Sequence, residues 1–161
     1  MVLALEDLEK VSRKLREKKL TIGVAESCTG GLLSASLTEI PGSSDYFREG
    51  VVAYSIDSKN LRLGLSRELI VKFGVISPEV ACAMAEQVRK FLDNDIGIGI
   101  TGNAGPDVNQ AGTPVGLVYI GVSTKFFTKS YPFNFKGNRS EIRKRIVQEA
   151  IDILNEILDG F

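Results

Sequence analysis

The chain predicts an α/β domain of three layers, with helices on both faces of a mixed β-sheet. Short apolar or β-branched runs alternate with amphipathic stretches along most of the sequence, the pattern of strands joined by helical crossovers. The last two strand-like runs follow each other too closely for a crossover and fit only an antiparallel pair, so the sheet is mixed. With 161 residues, 43% of them hydrophobic, the chain can bury about two thirds of the surface its unfolded form exposes. One domain spanning 1–161 is therefore expected.

The elements follow in order. Val2 to Lys19 carries Leu5, Leu8, Val11 and Leu15 between charged residues, a helical stripe. Leu20 to Ala25 reads as a short buried strand, and Thr29 to Glu39 as a helix with a small-residue first turn, stopped by Pro41 and Gly42. Val51 to Tyr54 is β-branched and aromatic enough for a strand, after which Asp57 can cap a short helix carrying Lys59. Ser66 is a second cap, and Ser77-Pro78-Glu79 opens a helix through Arg89 with Ala81, Met84, Ala85 and Val88 on its apolar face. Ile96 to Ile100 is a glycine-interrupted strand. Val115 to Val122 and Phe127 to Phe135 form the hairpin, and the charged stretch Asn138 to Arg145 opens a long terminal helix. Asp107 to Pro114 is read as the rim of a site rather than as a linker.

Composition narrows the function. Twenty basic and twenty acidic residues cancel, so no global field draws the chain to nucleic acid or to an anionic membrane. The apolar runs are short and no secretory hydrophobic region precedes Glu6 and Asp7, which fits a soluble cytoplasmic protein. Cys28 and Cys82 read as two free thiols, and with no histidine in the chain they make a poor zinc site; neither metal nor cofactor is expected. The missing histidine also excludes a serine-histidine-carboxylate arrangement.

Chemistry concentrates at Ala25-Glu26-Ser27-Cys28-Thr29-Gly30-Gly31, the junction between the first strand and the next helix. A hydroxyl, a thiol, a carboxylate and several N–H groups meet there, and Gly30 and Gly31 permit close approach of a ligand. Ser27 needs a base to lose its proton. Lys59, in Tyr54-Ser55-Ile56-Asp57-Ser58-Lys59, is the candidate, once burial or a neighbouring cation lowers its pKa. A second turn, Thr101-Gly102-Asn103-Ala104-Gly105-Pro106, offers further backbone donors. It has neither the glycine spacing of a dinucleotide fingerprint nor the lysine of a P-loop.

Taken together, Ala25 to Gly31, Pro41-Gly42-Ser43-Ser44, Gly50 to Ser55 with Lys59, Thr101 to Pro106, and Phe135-Lys136-Gly137-Asn138-Arg139 through Arg143 resemble, in order and over nearly the whole chain, the C-terminal domain of CinA-type proteins, known in standalone form as nicotinamide-nucleotide amidohydrolase. The resemblance implies a linear-amide C–N hydrolase of pyridine nucleotide salvage, converting nicotinamide mononucleotide and water to nicotinate mononucleotide and ammonia. It implies Ser27 and Lys59 as the catalytic serine and lysine, Tyr54 as a catalytic-site tyrosine and Arg139 as the phosphate-side arginine. Glu26, Thr29, Gly30, Gly31, Thr101, Gly102 and Gly105 complete the expected substrate site. The partner is then a small nucleotide, and a homo-oligomer is compatible with it. Two residues depart from the family pattern: Asn103 stands where an aliphatic residue is usual, and Thr113 where lysine is common.

Each residue has a plainer reading. Ser27 could be a helix cap, Lys59 an exposed helix lysine, Tyr54 a sheet-edge aromatic, Glu26 an exposed strand-end carboxylate and Arg139 part of a solvated helix start. The competing function is a noncatalytic nucleotide-binding module that keeps the pocket without the chemistry.

Overall fold

The computed structural model describes residues 4–161. Its elements are α1 (Leu5–Lys18), β1 (Ile22–Glu26), α2 (Leu32–Leu37), β2 (Phe47–Val52), α3 (Ile56–Leu63), α4 (Arg67–Phe73), α5 (Pro78–Phe91), β3 (Ile96–Gly102), β4 (Leu117–Thr124), β5 (Thr128–Asn134) and α6 (Arg139–Asp159). The expected helix start at Val2 lies outside the described residues. The sheet runs β2-β1-β3-β4-β5, with β1 parallel to both neighbours and β3-β4-β5 antiparallel. It is mixed, as the short connection between the last two strands requires.

Period-two alternation in β3 divides the core. Ile96, Ile98 and Ile100 join Ile22, Val24, Val118, Ile120 and Val122 beneath α1, α2 and α6. On the opposite face Ala25 and Ala53 pack with Leu63, Leu65, Ile70, Val80, Met84 and Val88 from the α3–α5 side. The glycines that interrupt β3 have a packing reason. A Cβ on Gly99 would sit 2.5 Å from Ala81 O and 2.5 Å from Ala85 N, and Gly97 and the β4 residue Gly121 would likewise strike the α5 backbone. Strand and helix therefore meet backbone to backbone, which only glycine allows.

Three local expectations are corrected. The helix foreseen from Thr29 begins only at Leu32, because Gly30 (φ 58°) and Gly31 (φ 100°) turn the chain through left-handed conformations first. The strand foreseen at Val51 to Tyr54 starts at Phe47 and ends at Val52, leaving Tyr54 in the connection to α3. That helix is capped by Ser55, whose side chain accepts from Ser58 N–H, with Asp57 inside the first turn. Ser66 and Ser77 cap α4 and α5 as expected.

Candidate active site

The chain leaves β1 to cross on one face through α2 to β2, and returns on the other through α3–α5 to β3. The carboxyl ends of β1 and β3 consequently face a crevice at a topological switch point, where open α/β sheets place ligands. A cavity of about 290 Å³ lies there, lined by Ser27, Cys28, Tyr54, Lys59, Val75, Ile76, Thr101, Gly102 and Asn109.

Lys59 enters it from α3. Its side chain is only 1% exposed, and Nζ lies 2.9 Å from Ser27 Oγ and 2.7 Å from Ala53 O. Burial pulls the ammonium down from an ordinary 10.5 to about 8, since a charged amine loses its hydration there. Neutral Nζ has two N–H donors and one lone pair. It can donate to Ala53 O while accepting the Ser27 hydroxyl proton. Cys28 is also buried, and burial pushes its thiol up to about 11, which keeps it protonated near neutrality. The more available nucleophile is the hydroxyl beside the lysine.

The neighbouring residues divide into those that reach the cavity and those that hold its walls. Glu26 is fully buried and accepts from Leu33 N–H (2.8 Å), Ser34 N–H (3.0 Å) and Ser34 Oγ (2.7 Å). This corrects its reading as an exposed strand-end carboxylate: Glu26 anchors the start of α2, where a negative charge meets the positive end of the helix. Thr29 is buried as well, and its Oγ1 has no partner among the described residues. Gly30 N–H closes a turn onto Ser27 O. Thr101 donates its hydroxyl to Val75 O at 2.8 Å, tying β3 to the Val75–Ile76 wall.

Arg139, the first residue of α6, donates to Gly105 O at 2.6 Å and to Tyr54 Oη at 2.9 Å. It thereby joins three expected site residues from three parts of the chain. Tyr54 is 57% exposed at the cavity mouth. Among the described residues no carboxylate pairs with Arg139, so its charge is available to an anion.

Sequence reasoning missed Arg143, Val75 and Ile76, and foresaw Asn109 only as part of the Asp107 to Pro114 rim. Arg143 Nε donates to Cys28 O at 3.1 Å and its terminal nitrogen to Thr29 O at 2.8 Å, so one guanidinium fork holds two consecutive carbonyls of the loop after Ser27. Its position four residues after Arg139, on the same helix face, was the available signal. Val75 and Ile76 carry none, because only the tertiary fold brings their loop to the cavity. Among the described residues no cluster of three or more His, Cys, Asp or Glu could hold a metal, and no helix is long and apolar enough to cross a membrane.

This architecture has close counterparts. A structure of a competence-damaged protein (CinA) superfamily protein from Klebsiella pneumoniae superposes with a TM-score of 0.93 at 28% identity, covering 97% of this chain and 98% of that one. The competence/damage inducible protein CihA from Agrobacterium tumefaciens gives 0.88 at 33% identity, covering 99% of each chain. A CinA-like protein from Endomicrobium trichonymphae is 49% identical over 146 residues, 91% of this chain but 34% of that protein. The chain spans a little over a third of the length of the curated relatives it matches. The model of the CinA C-terminal domain matches residues 5–158, and the chain belongs to that family.

Proposed function

We propose that this chain is a serine-lysine amidase that hydrolyses the carboxamide of nicotinamide mononucleotide to nicotinate mononucleotide and ammonia. The observation that carries the reading is the buried Lys59–Ser27 contact at 2.9 Å with an amine near pKa 8, a base poised close to physiological pH. In the first half-reaction Ser27 Oγ attacks the carboxamide carbon as its proton passes to Lys59 Nζ. Lys59 then gives that proton to the departing nitrogen, which leaves as ammonia, and an ester joins the nicotinoyl carbon to Ser27. In the second half, Lys59 takes a proton from water, the hydroxide equivalent attacks the ester, and Ser27 Oγ recovers the proton as nicotinate mononucleotide departs.

Negative charge on the tetrahedral oxygen needs preorganised donors. In the Thr101–Pro106 turn, Asn103 N–H is bound to Leu117 O and Gly105 N–H to Asn103 Oδ1. Among the described residues the Cys28 and Thr29 N–H groups, and Ala104 N–H in that turn, donate to no backbone acceptor, so these are the candidate donors. By peptide planarity, Arg143 on Cys28 O turns the Thr29 N–H the other way. The apolar Val75 and Ile76 suit the pyridine ring, and Arg139 is the cation for the phosphate.

The test is incubation of the purified protein with nicotinamide mononucleotide, with ammonia and nicotinate mononucleotide both assayed and the Ser27→Ala variant run alongside. Stoichiometric products from the wild type and none from the variant support the amidase. Calorimetric binding without product supports the noncatalytic module instead, and equal turnover by both proteins removes Ser27 from the chemistry.

A further inference from the structure

Asn109 brings the loop between β3 and β4 to the cavity that holds Ser27 and Lys59. That loop is fastened by two asparagine amides closing on the backbone of one residue. Asn103 Nδ2 donates to Thr113 O at 2.9 Å, and Thr113 N–H donates to Asn109 Oδ1 at 2.8 Å. Asn103 also donates to Asp107 O at 3.0 Å and accepts from Gly105 N–H at 2.9 Å. Gly112 N–H closes a turn onto Asn109 O. The polar residue at position 103 therefore organises the loop from within.

The clasp has a chemical consequence. With Oδ1 committed to Thr113, the orientation of the Asn109 amide follows from the network. Its Nδ2 has no acceptor among the described residues. What Asn109 offers the cavity is thus a neutral amide with a free donor. The same loop presents Arg139: Gly105 donates its N–H to Asn103 and accepts from the guanidinium through its carbonyl. The Asn109 amide and the Arg139 guanidinium are thus both fastened to this one loop.

Resting on the amidase reading, we propose that Asn109 is a specificity-determining residue whose Nδ2 donates to an oxygen on the sugar–phosphate end of the substrate, with Asn103 as the positioning residue that sets its pose. The cavity then selects for an acceptor at that place, because an unpaired donor and an unmatched ligand group both lose hydrogen bonds to water.

Asn109→Asp separates contact from scaffold, since a carboxylate still accepts from Thr113 N–H but has no donor. The variant is compared with wild type by kcat and KM. Dissociation constants for nicotinamide mononucleotide and its riboside are measured by calorimetry in a Ser27→Ala background, with amide exchange at Thr113 as the check on the clasp. Loss of a neutral donor, with a like charge added if phosphate is the acceptor, is expected to raise KM and Kd about tenfold or more with kcat within about threefold. A rise confined to the mononucleotide identifies a phosphate oxygen; an equal rise for the riboside identifies a sugar oxygen. Asn103→Ala should move KM in the same direction, and combining it with Asn109→Asp should add little. Unchanged constants for both ligands with the clasp intact, or a fall in kcat at constant KM, would overturn the assignment. Wild-type binding without hydrolysis rejects the amidase while the variant constants still judge Asn109; wild-type binding of neither ligand rejects both.

Discussion

At the scale of single residues, Lys59 determines how the proposed chemistry responds to pH. With a pKa near 8 in the fold, roughly a tenth of the amine is neutral at pH 7. The pH profile of kcat/KM should therefore rise through about 8 and level off above it. Lys59→Met keeps the apolar stem, removes the base and should lower turnover about 100-fold or more with less change in affinity. The same burial carries a stability cost. Because the folded pKa is about 8 and the ordinary value 10.5, the unfolded chain binds the extra proton between those limits. Stability contributed by this group thus rises with pH across that window, and below it the buried ammonium is destabilising. Lys59→Met should accordingly be more stable than wild type at pH 7, by about 1–3 kcal/mol in denaturant melts, with the advantage fading toward pH 10. A less stable variant at pH 7 would show that the bonds to Ser27 and Ala53 outweigh desolvation.

At the scale of elements, the short helix α2 and the long helix α6 hold the loop after Ser27 from opposite ends. Glu26 secures the first through three hydrogen bonds. Glu26→Ala leaves buried donors unpaired and should cost about 2–4 kcal/mol in urea unfolding. A cost below about 0.5 kcal/mol would mean that α2 holds without it. Helix α6 begins with an Asn138–Glu141 capping box that fixes its first turn and so aims Arg139. Arg139→Gln should raise the calorimetric Kd for nicotinamide mononucleotide far more than for the riboside, with the difference shrinking at high salt. Equal proportional losses for both ligands would leave Arg139 as a tether between Tyr54 and Gly105. The element boundaries show what local pattern can reveal. Serine caps at Ser66 and Ser77 were legible because their signal is confined to one turn. The delayed start of α2 was not, because the φ values of Gly30 and Gly31 depend on how the loop is held by Glu26 and Arg143.

For the whole molecule, the site depends on the two crossovers leaving β1 and entering β3 on opposite faces of the sheet, and on α5 lying close against its glycine patch. Gly99→Val places a branched side chain against Ala81 O and Ala85 N. It should destabilise the domain by about 3 kcal/mol or more, or prevent folding; thermal unfolding compared with Val88→Ala, a cavity on the same face, separates overpacking from simple loss of contact. A near-native melting temperature for Gly99→Val would show that α5 can move away.

Periodicity, turn residues and the spacing of the last two strands were enough for the mixed three-layer fold, because each is read over a few neighbouring residues. The Ser27–Lys59 pairing was expected from the family resemblance: in isolation Ser27 reads as a helix cap and Lys59 as an exposed helix lysine, and the absence of histidine excludes only the usual triad base. The tertiary structure alone decided that Glu26 supports α2, that Arg143 holds the Cys28 and Thr29 carbonyls, that Val75 and Ile76 reach the cavity, and which residue of the foreseen Asp107 to Pro114 rim, Asn109, does so. Those outcomes depend on which way a side chain points and which distant loop it meets. Both are set by the packing of α5 and α6 against the two faces of the sheet, and hydropathy along the chain contains neither.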